Sequence, residues 1–188
     1  MVSKDMDQDI EKVFYSEEQL QKRIADLGAQ ITADYKDFDE DIFCVGILKG
    51  AVVFYTDLVR QIKLPINFDF MIASSYGNST STSGTVKILK DLDYDIEGKH
   101  LIVIEDIIDS GTTMHYLKKY FAARKPKSVK LCALFSKPSR RTVDVDIDYC
   151  GFTVPDEFLV GYGLDYAEKY RNLPYVGVLK RSVYQNED

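Results

Sequence analysis

Apolar positions along this chain follow two alternating periods, and the alternation predicts its elements. Leu20, Ile24, Leu27 and Ile31 recur at helical spacing, with Ser16 and Gln19 placed to cap that helix reciprocally. Ile42 to Leu48 is continuously apolar and predicts a buried strand, and Ala51 to Ile62 predicts the helix after it. Ile66 to Ile72 predicts a strand with Phe68, Phe70 and Ile72 on one face. Ser74 to Gly84 is small and polar throughout and predicts a mobile loop, from which Thr85 to Leu89 leaves as a strand. An acidic turn, Asp91 to Gly98, precedes a strand from His100 to Ile104. A helix from about Gly111 then buries Met114, Leu117 and Phe121, and Val129 to Phe135 predicts the next strand. Beyond Lys137 the pattern is less regular, with short strands near Tyr149 to Thr153 and Tyr175 to Leu179. Helices alternating with short apolar strands predict an α/β domain: a mostly parallel, twisted sheet flanked by helices.

Composition narrows the function. The 188 residues suit one domain, and 45% hydrophobic with 29% charged residues describes a soluble, globular chain. A net charge of −6 and a pI near 5.0 weigh against non-specific nucleic-acid binding. Cys44, Cys132 and Cys150 are scattered and form no CxxC pair, as free thiols of a reducing compartment do. His100 and His115 show no zinc-binding spacing. Met1 to Glu11 lacks the apolar stretch of a secretory signal, and no apolar run reaches membrane-spanning length, so the expected location is the cytoplasm. There is no P-loop, and Gly161-x-Gly163 is no dinucleotide fingerprint because Tyr166 stands where its third glycine belongs.

The chemistry concentrates in residues 101–113. A strand of Leu, Ile and Val runs into Glu105 and Asp106; Asp109 follows, then Ser110-Gly111-Thr112-Thr113 opens a helix. Free N–H groups and hydroxyls at a helix start suit a phosphate dianion, and Gly111 permits close backbone approach. Glu105 and Asp106 would repel that phosphate; carboxylates suit a vicinal diol or Mg²⁺. Taken together these groups describe a pocket for ribose 5-phosphate. Three acids in five positions at a buried strand end are costly without cations or donors.

Glu105-Asp106-Ile107-Ile108-Asp109-Ser110-Gly111 resembles the motif with which type I phosphoribosyltransferases bind 5-phosphoribosyl 1-diphosphate (PRPP), in the form of the hypoxanthine-guanine branch. The resemblance implies that fold across residues 1–188, a core at about 38–137 and a small hood formed by the terminal segments. It places the ribose hydroxyls on Glu105 and Asp106, the 5-phosphate on Ser110 to Thr113, and the purine N7 proton on Asp109 as general acid/base. Leu48-Lys49-Gly50-Ala51 resembles the family's pyrophosphate loop, whose cis peptide would fall at Leu48–Lys49; Ala51 replaces its second glycine. Ser75 and Tyr76 would open a flexible lid that excludes water. Lys137 would donate to the purine O6, favouring a 6-oxo acceptor over a 6-amino donor. Within Val154 to Tyr166, Phe158 would stack on the base, the Leu159 backbone would read its edge, and Asp165 would join Glu105 and Asp106 in holding Mg²⁺. Arg171 would meet pyrophosphate beside Lys49 and Gly50. The implied partners are PRPP and a 6-oxopurine, with neither nucleic acid nor membrane, in a homodimer or homotetramer. Some proteins with this motif instead regulate transcription by binding RNA. Lys137 and Phe158-Leu159 favour the enzyme.

Overall fold

The computed structural model describes residues 5–75 and 86–185. Six strands form the main sheet, in the order β4-β3-β2-β5-β6-β7. They are β2 (Ile42–Leu48), β3 (Asn67–Ser75), β4 (Val86–Lys90), β5 (His100–Ile108), β6 (Ser128–Ser136) and β7 (Tyr149–Thr153). All neighbours pair in parallel except β4, an antiparallel edge on β3. Parallel strands need crossovers, and two of these are helices: α2 (Val52–Gln61) between β2 and β3, and α3 (Thr112–Ala122) between β5 and β6.

The long helix α1 (Glu17–Tyr35) begins at Ser16, whose hydroxyl accepts from the Gln19 amide while the Gln19 side chain accepts from the Ser16 amide. Its apolar stripe joins Phe54, Tyr55 and Leu58 of α2 in a core on one face of the sheet. Met114, Leu117 and Phe121 of α3 pack with Val45, Met71 and Val103 on the other. The sheet is therefore covered on both faces, which is why its central strands read as unbroken apolar runs. Strands in the Phe68-Phe70-Ile72 row show the limit of that rule. Phe68 is 54% exposed at the edge of α2, whereas Asp69 and Met71 on the other face are buried.

Two features depart from the sequence reading. The strand expected to end at Ile104 continues through the acids to Ile108, because Glu105, Ile107 and Ile108 keep their pairing with Ala133, Phe135 and Ser136. Ladder hydrogen bonds belong to the backbone, so charged side chains do not end a strand if they face a cavity. Two strands were also missed. β1 (Ile10–Tyr15) begins at the end of the polar stretch Met1 to Glu11, and forms a second, antiparallel sheet with β9 (Val176–Leu179) and the equally unexpected β8 (Leu159–Val160). The exposure of β1 follows no two-residue alternation, with Val13 55% exposed, so periodicity had nothing to detect. A four-residue helix, α4 (Arg181–Tyr184), follows β9. Thr85 and the polar stretch from Tyr76 lie outside the described residues, so the expected lid falls there too, apart from Ser75 at the end of β3. No described helix is long and apolar enough to cross a membrane.

Candidate active site

The chain leaves β2 toward β3 on one side and returns through β5 toward β6 on the other. The crevice between β2 and β5 is therefore the point where the winding reverses, and ligands of open α/β sheets bind beyond the strand ends there. A cavity of about 860 Å³ opens at that point. Gly50 after β2, Glu105 to Gly111 and Thr113 around the end of β5, and Asp165 and Arg171 from the segment before β9 all line it.

The β5 end carries most of the charge. Burial, reinforced by the neighbouring Asp106, pushes the Glu105 carboxyl well above the usual carboxylate range. Its Oε2 is buried with no hydrogen-bond partner among the described residues. Asp106 is also raised by burial, against the pull of the Ile107 amide, which donates to its Oδ1 at 2.7 Å, and more weakly of Arg171. Its carboxylate lies against the backbone of Gly50: a Cβ there would stand 1.8 Å from Asp106 Oδ2. The glycine of the loop after β2 is thus what lets the two strand ends close on each other.

Ser110 Oγ accepts from the Thr112 amide at 3.3 Å and caps the turn locally. Gly111 has φ +86°, and a Cβ on it would meet the Val143 carbonyl at 2.6 Å, so both conformation and space require glycine. The first amides of α3 lack partners within the helix, and the turn that carries them lines the cavity through Ser110 and Gly111. Thr113 lines the cavity; Thr112 does not touch it.

The opposite wall is a contorted segment. Gly161, Tyr162, Gly163, Ala167, Glu168 and Tyr170 all have positive φ. Left-handed conformations in non-glycine residues cost free energy and concentrate where a fold must aim side chains. Here they aim Asp165 and Arg171. Arg171 donates to the Gly163 carbonyl at 2.8 Å and pairs with Asp165 at 2.9 Å. Lys49, after the cis Leu48–Lys49 peptide, pairs at 3.0 Å with Glu168, which lines the cavity. Its ammonium holds Glu168 below the usual carboxylate range.

The residues expected around a base stand together beside this cavity, without lining it. Lys137 is 7% exposed, and its ammonium donates to the Glu157 carbonyl at 2.7 Å. Burial pulls it below the usual lysine range, against Asp109 and Asp156. Phe158 stacks on Tyr184 of α4, ring centroids 4.7 Å apart, and Leu159 is buried in β8 opposite Val178. Asp109 lines the cavity and its charge acts on Lys137, and Arg140 sits on it at 3.0 Å. Sequence reasoning missed Arg140 and Glu168. Arg140 had a signal, the cluster Lys137-Pro138-Ser139-Arg140-Arg141, of which only the lysine was singled out. Glu168 had none, because its role depends on a turn that no local pattern encodes.

A helix start, two buried acids and a switch-point crevice meeting at one cavity define an open α/β fold of the ligand-binding kind. The chain matches the phosphoribosyl transferase domain over residues 14–167, and it belongs to that family. It is 54% identical over 181 residues to the hypoxanthine-guanine phosphoribosyltransferase of Bacillus subtilis, covering 96% of this chain and 99% of that protein. It is 52% identical to the bifunctional protein TilS/HprT of Listeria monocytogenes, covering 95% of this chain but only 27% of that longer protein. Among solved structures, a hypoxanthine phosphoribosyltransferase from Staphylococcus aureus superposes with a TM-score of 0.92 at 44% identity, covering 99% of this chain and 100% of that one.

Proposed function

We propose that this protein is a purine-salvage transferase that moves the 5-phosphoribosyl group of PRPP to hypoxanthine or guanine, releasing pyrophosphate. One observation carries the reading. The acids for a diol, the helix start for a phosphate and Asp109 all open on one cavity at the switch point.

The residues divide the work along the substrate. Ser110 to Thr113 bind the 5-phosphate with backbone amides and hydroxyls. Glu105 and Asp106 accept from the ribose hydroxyls, which supplies the partners that the buried Glu105 Oε2 lacks within the protein. Lys137 donates to O6 of the base, and Phe158 stacks on its ring. The Leu159 backbone reads its edge. As N9 bonds to C1 and the bond from C1 to pyrophosphate breaks, Asp109 manages the proton on N7. Lys49, Gly50 and Arg171 receive the pyrophosphate. For this, Lys49 and Arg171 exchange their present carboxylate partners for phosphate oxygens.

The donor set fits Mg²⁺, which is bound through one or two carboxylates together with substrate phosphates rather than by an all-protein cage. Glu105, Asp106 and Asp165 are the carboxylates that would hold it together with the substrate. When bound, the ion neutralises charge on the pyrophosphate. The enzyme acts in the cytoplasm as a homodimer or homotetramer.

The deciding experiment incubates the protein with PRPP, Mg²⁺ and hypoxanthine, guanine, xanthine or adenine in turn, following nucleotide and pyrophosphate. IMP or GMP should form quickly and AMP slowly. PRPP binding without product from any base would point to a regulatory role.

A further inference from the structure

Asp109 is needed at the base, yet a cation already rests on it. Arg140 Nε lies 3.0 Å from Asp109 Oδ1, and Nη1 of the same guanidinium lies 3.3 Å from Asp156 Oδ1. That Asp109 oxygen is shut off from solvent, and Arg140 meets it without the alignment of a hydrogen bond. Arg140 ends the short 3-10 turn that follows Lys137. The Lys137 ammonium is itself anchored on the Glu157 carbonyl and stands 3.9 Å from Asp156. Arg140 therefore spans the gap between Asp109 on one wall and the base-facing segment on the other.

We propose that Arg140 is a positioning residue that guards Asp109, holding its carboxylate while the base site is empty and yielding it to the incoming purine. The proposal rests on the assignment of Asp109 to the base. Three properties make the contact displaceable. The Asp109 and Arg140 side chains are 43% and 53% exposed, so although the contacted oxygen itself is covered, the pair lies at the solvent boundary and is only partly desolvated. The contact is electrostatic without directed geometry, so a base N–H aligned on the same oxygen forms the better bond. Asp156 offers the guanidinium a second carboxylate, so its charge keeps a partner after it moves. Base binding then competes with an internal ion pair. The apparent affinity for the base is reduced by the fraction of molecules in which Arg140 still covers Asp109.

Steady-state kinetics of the full chain with hypoxanthine, at saturating PRPP and Mg²⁺, test this. Arg140→Met should lower the hypoxanthine KM roughly threefold, the span of a screened ion pair. Arg140→Lys should return it toward the wild-type value, since an ammonium can still reach Asp109. Asp156→Asn should raise the KM when Arg140 is present and leave it unchanged in the Arg140→Met background, because Asp156 acts through the guanidinium. An unchanged or raised KM in Arg140→Met overturns the guard. If the wild type makes no IMP at all, the assigned function falls. An active wild type with an unaltered Arg140→Met variant removes the guard alone.

Discussion

The two walls of the cavity are built in different ways. The wall assigned to ribose and its phosphate is one uninterrupted stretch, Glu105 to Thr113, where a central strand turns into a helix. Its residues are buried or half-buried, and the buried oxygen Glu105 Oε2 has no hydrogen-bond partner among the described residues. The wall assigned to base and pyrophosphate is gathered from Lys49, Lys137, Phe158, Asp165 and Arg171. Its charged groups are already paired with one another, as Lys49 with Glu168 and Arg171 with Asp165. The first wall keeps a buried acceptor, Glu105 Oε2, free for ligand, while Asp109 on it is held by Arg140. The second keeps the buried Arg171 Nε free but must otherwise exchange internal partners for ligand.

Asp109 gives the sharpest cut between them, because it stands on the first wall and is assigned to the base of the second. Asp109→Asn should lower kcat by about 10²- to 10⁴-fold, the usual weight of a positioned acid/base. PRPP affinity, measured by equilibrium titration, should stay within roughly threefold. A loss of PRPP binding as large as the loss of kcat would erase the division of labour.

Gly50 tests the place where the pyrophosphate loop closes on the first wall. A Cβ at this position meets Asp106 Oδ2 at 1.8 Å, and Asp106 cannot retreat easily because it is buried and held by the Ile107 amide. Gly50→Ala should raise the PRPP KM about 10- to 100-fold, the cost of displacing a catalytic-site group by about an ångström. The hypoxanthine KM should move far less. Equal effects on both would mean that the walls deform as one body.

The same contrast explains what could be read in the sequence. The ribose-phosphate wall was legible because its elements are contiguous: an apolar strand, acids and a hydroxyl-rich helix start follow within thirteen residues, 101–113. The main sheet was legible for a related reason, since burial on both faces leaves continuous apolar runs such as Ile42 to Leu48. The second wall was reached only through family resemblance. Nothing local in Phe158 or Arg171 distinguishes a site residue from a packed or solvated one. β1 was lost because an exposed edge strand carries no period, and Arg140 and Glu168 because ion pairs across 31 and 119 residues leave no local trace.

Tyr184 sharpens the account of the second wall. Its ring stacks on Phe158 with an interplanar angle of 25°, and α4, which carries it, is a single short turn. An aromatic pair of this kind contributes about 0.5–1.5 kcal/mol, so freeing Phe158 with Tyr184→Ala should raise the hypoxanthine KM roughly two- to tenfold. The PRPP KM should stay unchanged. A fall in the hypoxanthine KM would show instead that Tyr184 covers the face the purine uses.

Lys137 carries the smallest effect and the most specific one. Burial holds its ammonium below the ordinary lysine range, so the folded protein releases this proton at lower pH than the unfolded chain, whose value is about 10.4. Between the two values the unfolded state binds more protons, and stability must rise with pH. Thermal unfolding of the wild type and of Lys137→Met, compared from neutral pH upward, should therefore show the wild type gaining on the variant as pH approaches the ordinary lysine value. Below that window the difference should be constant. The sign is opposite to that of a lysine stabilised by a salt bridge, which would lose ground over its own alkaline window. It thus separates two accounts of the same side chain: an ammonium kept poorly solvated for a purine oxygen, or one neutralised by Asp156, 3.9 Å away. If the wild type loses ground instead, Asp156 dominates, and rejection of adenine would have to come from the Phe158-Leu159 edge rather than from Lys137.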